Sequence, residues 1–327
     1  MKLKSWVKQY LSTLVQIIKK YPYDFYNFGL KIAHYNFRWE FANSGLLPFW
    51  LNKTIKQKKN DLIYNFLNTK YENFINEYKT KNITIWLSSK KIWCCWWQWE
   101  EQAPELVKIC INSTRKHNCW YDVIIITKDN YLDYIKLPDS ILRKVDEWLI
   151  SITHLSDILR MWLLSQYWWI RVDATMYINS NIFSEFDNKP LNSNYPKIYV
   201  KTTWWFEKWC WFFIWWQPNK LFNFVFDFFI QYHKDYKYLI NYFLIDYVIL
   251  LAYKNFEECK KDIDWISLHN EEIFTLANKF NEQYDEKEYK KILNHWFFKL
   301  TYKWMFYTHT KDWNLTNYWN FLKWLKI

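Results

Sequence analysis

The chain has 327 residues, 51% of them hydrophobic, and a formal net charge of +11 at pH 7. A length of this order suits one domain of several layers with an appendage, and the apolar content is ample for a core. No run of 18 or more uncharged apolar residues is present, so the sequence predicts no transmembrane helix. Lys8, Lys19 and Lys20 interrupt and follow the first apolar residues, a pattern that does not fit a signal peptide and predicts a cytoplasmic protein.

The first 80 residues are strongly basic, with a net charge of +8. Apolar residues at helical spacing, with lysines before them, predict an amphipathic helix that contacts an anionic membrane surface through residues 1–20. The alternative is a helix whose apolar stripe packs on the main domain. The stripe consists of Leu3, Val7, Tyr10, Leu14 and either Ile17 or Ile18. No zinc-finger, RRM or helix-turn-helix pattern accompanies the charge, so no nucleic-acid partner is predicted.

The pattern changes near residue 83, which divides the chain into a basic helical region, 1–80, and a second domain, 81–327. Apolar runs predict strands at 83–87, 92–96, 122–127 and 170–172, and helical spacing predicts helices at 103–116, 130–135, 139–145 and 156–167. Further strands are predicted at 197–203, 209–214 and 297–302, and further helices at 218–232 and 238–253. The alternation of strands and helices predicts an α/β fold with a largely parallel sheet.

The segment that ends near Asp173 carries the strongest candidate site. Asp173 ends a predicted strand, where the sites of α/β sheets gather, and a carboxylate there binds a hard cation or sugar hydroxyls. Asp157 and Arg160 share one face of the preceding helix and would contact the same ligand. Plainer interpretations stay open: a strand-end cap for Asp173, an internal salt bridge for the helix pair, and an N-cap for Ser156. His154 is either a phosphate ligand or a packed polar residue.

The glycine and tryptophan contents are anomalous. The chain contains 2 Gly and 25 Trp, whereas the usual share of about 7% predicts roughly 23 Gly. Tryptophan occupies positions that favour glycine: Trp168-Trp169 between a predicted helix and strand, Trp215-Trp216 before Gln217-Pro218-Asn219, and Trp313 in a polar turn. We hypothesise that UGA codons, which some bacteria read as glycine, are written here as tryptophan. The alternative is a truly tryptophan-rich protein.

With these doublets read as Gly-Gly, residues 156–175 become S-D-x-x-R-x-x-x-L-x-x-Y-G-G-x-x-x-D-A-T. This pattern resembles the capsular-polysaccharide-synthesis glycosyltransferases, relatives of the D-x-D sugar-binding transferases of the family-32 type. Four further blocks follow the order of that family, so the resemblance covers roughly residues 83–320. The blocks are residues 91–99, 103–107, 242–247 and 297–303.

The resemblance implies a GT-A-type fold, in which a Rossmann-like half binds a nucleotide-diphosphate sugar. Asp173 stands at the first acid of the D-x-D-like site, where Mn²⁺ or Mg²⁺ would bridge the diphosphate. Thr175 replaces the second acid, and His309 is a candidate for a late metal ligand. The resemblance assigns the donor sugar and phosphate to Ser156, Asp157 and Arg160.

The resemblance also implies roles for five other positions. Gln98 ends the first strand, where the nucleotide base would lie, and Trp97 beside it would stack on the base or belong to the core. Trp168 and Trp169, as glycines, would border the approach to the diphosphate. Asp246 is the best downstream carboxylate for orienting the acceptor or the donor sugar, with a salt bridge inside its helix as the alternative.

We therefore expect a glycosyltransferase at the inner face of the membrane. It would transfer a hexose from a nucleotide-diphosphate sugar to a growing surface or capsular polysaccharide, with a glycan or lipid-linked saccharide as acceptor. The alternative is a non-catalytic carbohydrate-binding or scaffold protein, because the second acid of the D-x-D pattern is missing. The six cysteines form no C-x-x-C pair and are expected to be free thiols. No G-x-S-x-G elbow or P-loop is present.

Overall fold

The computed structural model describes residues 2–42, 49–82, 88–166, 168–181, 183, 213–216, 220–264 and 271–323. The predicted strands at 83–87 and 197–203 lie outside these residues. The strands are β1 Ser88–Cys95, β2 Asp122–Ile126, β3 Trp168–Asp173, β4 Met176–Ile178, β5 Phe213–Trp216 and β6 Phe297–Lys299. The helices are α1 Lys2–Phe28, α2 Leu30–Phe41, α3 Phe49–Lys70, α4 Glu72–Thr80, α5 Glu105–Lys116, α6 Tyr131–Tyr134, α7 Asp139–Asp146, α8 Ile152–Gln166, α9 Lys220–Asp235, α10 Leu244–Asn255, α11 Glu257–Asp264, α12 Thr275–Asn278, α13 Glu286–Ile292 and α14 Asn317–Lys323.

The chain forms two compact units, and both are discontinuous in sequence. The first contains Met1–Ile83, Pro138–Asp157 and Phe224–Lys260. The second contains Thr84–Leu137, Ile158–Asn223 and Lys261–Ile327. The predicted basic region of residues 1–80 therefore shares its compact unit with two later segments.

The first unit is helical and has an aromatic-rich core. Gly29 separates α1 from α2 with a φ of +83°, in the left-handed region that glycine favours. Ile63 and Leu67 of α3 are fully buried. The hydroxyl of Tyr247 in α10 donates a 2.6 Å hydrogen bond to Oδ1 of Asn60, which satisfies two buried polar groups at once.

A buried histidine pair lies in the first unit. His154 and His233 are each 2% exposed, and their Nε2 atoms are 2.9 Å apart. At this distance one ring donates a hydrogen that the other accepts, so at least one of the rings must be neutral. Burial, with the charges of His154 and Lys144 nearby, lowers the pKa of His233 to about 2. The interpretation of His154 as a packed polar residue fits this geometry.

The free energy of unfolding is expected to fall as the pH drops below the ordinary His233 pKa of 6.5. Below that pH the unfolded chain binds a proton that the folded chain binds only near pH 2. The slope from this one group is at most about 1.4 kcal/mol per pH unit. Urea unfolding from pH 7 to pH 5 measures it. His233→Gln should make the free energy of unfolding depend less on pH. His34→Gln, at an exposed site, should leave the pH dependence unchanged. Equal slopes in the unsubstituted chain and both variants would contradict the prediction.

In the described part of the second unit, a four-stranded sheet has the order β2-β1-β3-β5. The strands β2, β1 and β3 are parallel, and β5 is antiparallel to β3. Cys95 at the end of β1 is in register with both Ile126 of β2 and Asp173 of β3. The carboxyl ends of three strands therefore meet at one edge. Because β2 and β3 flank β1 on opposite sides, the sheet has a switch point at β1 and β3, where α/β proteins bind ligands.

These elements confirm the α/β prediction and correct several of its details. The helix predicted at 238–253 begins only at Leu244. The predicted helix from Ser156 begins earlier, at Ile152, because Oγ of Ser151 accepts the N–H of His154 at 3.2 Å and caps the helix. Ser156 therefore lies in the second turn and is not the N-cap. Trp168 and Trp169, which we expected in a turn, belong to β3 and pair with β1 and β5. Trp215 and Trp216 likewise belong to a strand, β5.

Among the described residues, four other than glycine have a left-handed φ, and three of these are tryptophans. Trp120, Trp148 and Trp313 have φ values of 75°, 59° and 61°. Their side chains are 79–88% exposed, so little packing of the indole compensates for the backbone. This conformation costs a residue with a β-carbon about 1–3 kcal/mol, whereas glycine adopts it freely.

Trp148 occupies the glycine position of a Schellman motif at the end of α7. Its N–H donates to the carbonyl of Val145 at 3.1 Å. The N–H of Leu149 reaches back to the carbonyl of Lys144 at 2.9 Å. These two bonds define the motif, in which the residue after the cap has left-handed φ and is usually glycine.

Trp313 and Trp120 occupy glycine positions of two other turns. The N–H of Trp313 donates to the carbonyl of Thr310 at 3.1 Å, and the N–H of Thr310 donates to the carbonyl of Asn314 at 2.8 Å. This is a three-residue hairpin loop, whose last residue is left-handed. Trp120 is the third residue of a turn closed by the N–H of Tyr121, with left-handed φ at both central positions.

The five described cysteines, at 94, 95, 110, 119 and 259, are free thiols, as predicted; Cys210 lies outside the described residues. Burial raises the pKa of Cys94 and Cys110, which keeps these thiols protonated. Within the described helices, none is long and apolar enough to cross a bilayer.

Candidate functional site

Strand pairing brings Asp173 next to a lysine 126 residues further along the chain. β4 follows β3 after a two-residue connection and pairs antiparallel with β6, so that Met176 lies opposite Lys299. The N–H of Leu300 also donates to the carbonyl of Thr175 at 2.8 Å. The ends of β3 and β6 therefore share one edge of the second unit.

Asp173, Thr175 and Lys299 form a hydrogen-bonded cluster at this edge. Nζ of Lys299 lies 3.0 Å from Oδ1 of Asp173 and also donates to Oγ1 of Thr175. The backbone N–H and the hydroxyl of Thr175 donate to the same Oδ1 at 3.0 and 2.7 Å. Oδ2 of Asp173 lies 3.9 Å from the guanidinium of Arg171. One carboxylate thus receives three hydrogen bonds and faces two cations.

The charges around Asp173 control its ionisation. Burial acts to raise its pKa, but Lys299, Arg171 and the hydrogen bonds from Thr175 outweigh burial and hold the pKa well below its usual range. The carboxylate is therefore ionised at neutral pH. It anchors the lysine ammonium and cannot act as a general acid.

A cavity of about 370 Å³ opens on this cluster. Its size falls in the range of small-molecule sites. The lining residues include Asp173 and Thr175 from one strand end and Lys299 and Lys303 from the other. Two lysines against one carboxylate leave the described lining with a net positive charge, which favours an anionic ligand.

An aromatic pair borders the same cavity. Trp96 directly follows β1, where its N–H donates to the carbonyl of Ile126 at 2.9 Å. Its ring contacts Tyr302 edge to face, with centroids 5.6 Å apart. Both residues line the cavity. Aromatic rings beside a charged pocket can stack on a nucleobase or on the apolar face of a sugar.

The predicted base-binding residues lie next to this cavity in sequence but do not line it. Gln98 is exposed. Trp97 is half-buried and packs against Tyr131 at 5.2 Å, as its alternative interpretation as a core residue expects. Trp96, one residue earlier, lines the cavity in their place. The backbones of Trp168 and Trp169 lie in β3, and their side chains are outside the described residues.

The predicted sugar and phosphate ligands of α8 are not among the cavity residues. Asp157 is buried in the first unit, with Oδ2 3.9 Å from Nδ1 of His154. Ser156 and Arg160 are half-buried on the same helix. Asp246 lies in the first turn of α10, also in the first unit. The roles of these residues stay predictions.

The residues at Asp173 do not fit the expected Mn²⁺ or Mg²⁺. Asp173 is the only carboxylate of the described cavity lining, and the Lys299 ammonium already lies on the oxygen that would face a cation. His309 is exposed in a hairpin with Trp313 and does not line the cavity. Within the part of the chain that the structure describes, no group of three or more His, Cys, Asp or Glu is placed to hold a metal.

Sequence reasoning missed Lys299, Lys303, Arg171 and Tyr302. All four lie inside segments that carried the resemblance, residues 156–175 and 297–303, so the segments were found but not these side chains. The available signal was the basic pattern K-L-T-Y-K at residues 299–303, which covers the end of the strand predicted at 297–302. A lysine beside threonines at a strand end is as typical of a phosphate-binding site as of a solvent-exposed surface.

The fold is of the α/β class, and a positively charged cavity lies at the switch point of its sheet. The sequence profile of the family described as capsular polysaccharide synthesis protein matches residues 44–320. The chain therefore belongs to this family, as the five sequence blocks predicted, and this membership indicates a role in polysaccharide biosynthesis. No curated protein and no solved structure matches the chain.

Proposed function

We propose that the chain is a glycosyltransferase with a GT-A-type nucleotide-binding half. It transfers a hexose from a nucleotide-diphosphate sugar to a growing capsular or surface polysaccharide. The observation that carries this proposal is the cavity at the carboxyl ends of β1 and β3. It combines a lysine-rich end, suited to a diphosphate, with an aromatic pair suited to a base or sugar.

A non-catalytic carbohydrate-binding or scaffold role is the second candidate. The single carboxylate of the described cavity lining favours it, because that carboxylate is held by Lys299 and leaves no general base among these residues. Slow or absent sugar transfer together with tight glycan binding would identify this role.

Donor binding is expected to stabilise the folded chain. A thermal-shift screen of UDP-, GDP- and CDP-sugars measures it, with inorganic sulfate as the control for general anion binding. A donor at a hundredfold excess over its dissociation constant stabilises by about 2.7 kcal/mol. A melting temperature unchanged by all donors, and no sugar transfer to glycan acceptors, would contradict the proposed function.

We also propose that the first unit binds an anionic membrane surface through α1. This helix has apolar residues on two faces: Ile17 and Phe28 are buried, whereas Ile18 is 61% exposed. The exposed face includes Ile18 and residues at helical spacing from it, with exposed Lys19 beside it and exposed Lys31 in α2. Its apolar members are Val15, Ile18, Phe25 and Tyr26, and Leu30 follows at the start of α2. Lysine beside exposed apolar side chains suits acidic lipid headgroups.

Changing Ile18 and Phe25 together to serine is expected to weaken binding to phosphatidylglycerol vesicles by at least about tenfold, because two large side chains no longer enter the lipid. Vesicle co-sedimentation measures the binding. Leu132→Ser, at an exposed apolar position of the second unit, is the control. Binding unchanged by the double substitution would leave α1 as a packing helix only.

We further propose that Trp120, Trp148 and Trp313 are glycine in the natural protein. Their left-handed backbones and standard turn geometry support this proposal. It extends the UGA hypothesis to two positions, 120 and 148, that the sequence pattern did not single out. At positions 168, 169, 215 and 216 the backbone is extended, and this conformation does not require glycine.

A further inference from the structure

We propose that the Lys299 ammonium takes the place of the divalent cation in this site, so that the protein binds the diphosphate of its donor without a metal ion. This inference rests on the proposed function and adds to it a cation supplied by the chain itself. The pattern Asp173-Ala174-Thr175 was expected to hold Mn²⁺ or Mg²⁺. The structure places a lysine between its two oxygen-bearing side chains instead.

The position of Lys299 carries the argument. Its Nζ donates to Oδ1 of Asp173 and to Oγ1 of Thr175, the two groups that stand at the ligand positions of a D-x-D pattern. A divalent cation on the same oxygens would lie against the ammonium, and like charges at that distance repel. The threonine hydroxyl also donates its hydrogen to Asp173, so its oxygen is oriented for the lysine rather than for a metal.

The environment of Lys299 is that of a fixed cation. Its side chain is 15% exposed and borders the cavity, and Arg171 holds the far oxygen of the same carboxylate at 3.9 Å. The ammonium has three hydrogens, of which Asp173 and Thr175 accept two. Lys299 lines the cavity, so its positive charge acts on a ligand bound there. Lys303 lines the same cavity and adds a second positive charge.

The positive charge of Lys299 is suited to the negative charge that develops on the leaving diphosphate during transfer. As the bond between the anomeric carbon and the diphosphate oxygen breaks, its electron pair stays on that oxygen. The acceptor hydroxyl oxygen forms the new bond to the anomeric carbon, and its proton passes to solvent. The ammonium stabilises the departing diphosphate by its positive charge and keeps its own proton throughout.

The test measures binding of UDP, GDP and CDP to the full chain by calorimetry, in EDTA and in Mn²⁺. We expect at least one of these nucleotides to bind in EDTA, with an affinity within about twofold of that in Mn²⁺. Lys299→Met should weaken binding in EDTA at least tenfold. It should also create a requirement for Mn²⁺, because the oxygens of Asp173 and Thr175 become available to the metal. The electron paramagnetic resonance signal of free Mn²⁺ reports that gain directly.

The outcomes separate the inference from the function on which it rests. Nucleotide binding that is present in Mn²⁺ and lost in EDTA would overturn the role of Lys299 and keep the proposed function. Absence of binding in both conditions would overturn both. If Lys299→Met does not fold, the unsubstituted chain in EDTA decides, together with Lys303→Met at an exposed position. That variant should weaken binding in EDTA without creating a Mn²⁺ requirement; a Mn²⁺ requirement there would count against the assignment to Lys299.

Discussion

Replacing Asp173 with asparagine is expected to lower sugar transfer at least about a hundredfold, the loss typical of removing one preorganised electrostatic group. The amide keeps the size of the side chain but not its charge. Lys299 and Arg171 then lose the anion that holds them. The ammonium at the cavity is no longer fixed where the diphosphate needs it, so the effect on transfer should exceed the effect on folding.

A matched variant separates the charge of Asp173 from a general effect on the sheet. Asp122 is an exposed acid at the amino end of β2, the opposite edge of the same sheet. Asp122→Asn should transfer sugar at the rate of the unsubstituted chain. Rates are measured by release of the nucleoside diphosphate, and folding by thermal melting. Transfer by Asp173→Asn within a few-fold of the unsubstituted chain would remove Asp173 from the site.

The lowered pKa of Asp173 adds a pH criterion. Because its folded-state pKa lies below its ordinary value of 3.8, the carboxylate contributes stability above pH 4 that is lost as the pH falls through the folded-state value. Protonation of Asp173 therefore cannot cause any decline of activity between pH 5 and pH 8. A decline in that interval belongs to another group.

Glycine at 148 is expected to stabilise the chain by about 1 kcal/mol, and the same change at 120 and 313 should add similar amounts. Each substitution removes a β-carbon from a left-handed backbone. It gives up little packing, because the three indoles are 79–88% exposed. Urea unfolding of the single and triple variants measures the gain, which should be nearly additive because the three turns are separate.

Alanine at the same position is the matched control. Trp148→Ala removes the indole but keeps the β-carbon, so it should gain much less than Trp148→Gly. Equal stability of the two variants would mean that the backbone strain is absent and the glycine proposal is wrong at this position.

Mass spectrometry of the protein from its natural host tests the proposal without any variant. The tryptic peptide 145–160 should carry the mass of glycine at 148. The peptide 161–171 should keep tryptophan at 162, because its indole N–H donates a 3.0 Å hydrogen bond to the carbonyl of Tyr134. Tryptophan mass at 148 would count against recoding there.

Part of the fold and of the site could be predicted from local patterns. Alternating apolar runs and amphipathic helices predicted β1, β2, α5 and the α/β class, since these signals depend on the periodicity of each element alone. The same reasoning placed Asp173 at a strand end, and the ordered blocks led to the family. The N-cap of α8 was harder to predict, because both Ser151 and Ser156 are residues that suit an N-cap. The structure uses Ser151, five residues before Ser156.

The sequence by itself determined the class of fold, the family and the position of Asp173, because each depends on residues close together in the chain. Only the tertiary structure decided which cation Asp173 meets. Lys299 arrives through the pairing of β4 with β6, a contact across more than a hundred residues that no local period records. The left-handed φ of the three tryptophans likewise depends on the path of the backbone in each turn. A side chain's partner depends on where distant segments pack, and that is a property of the whole core.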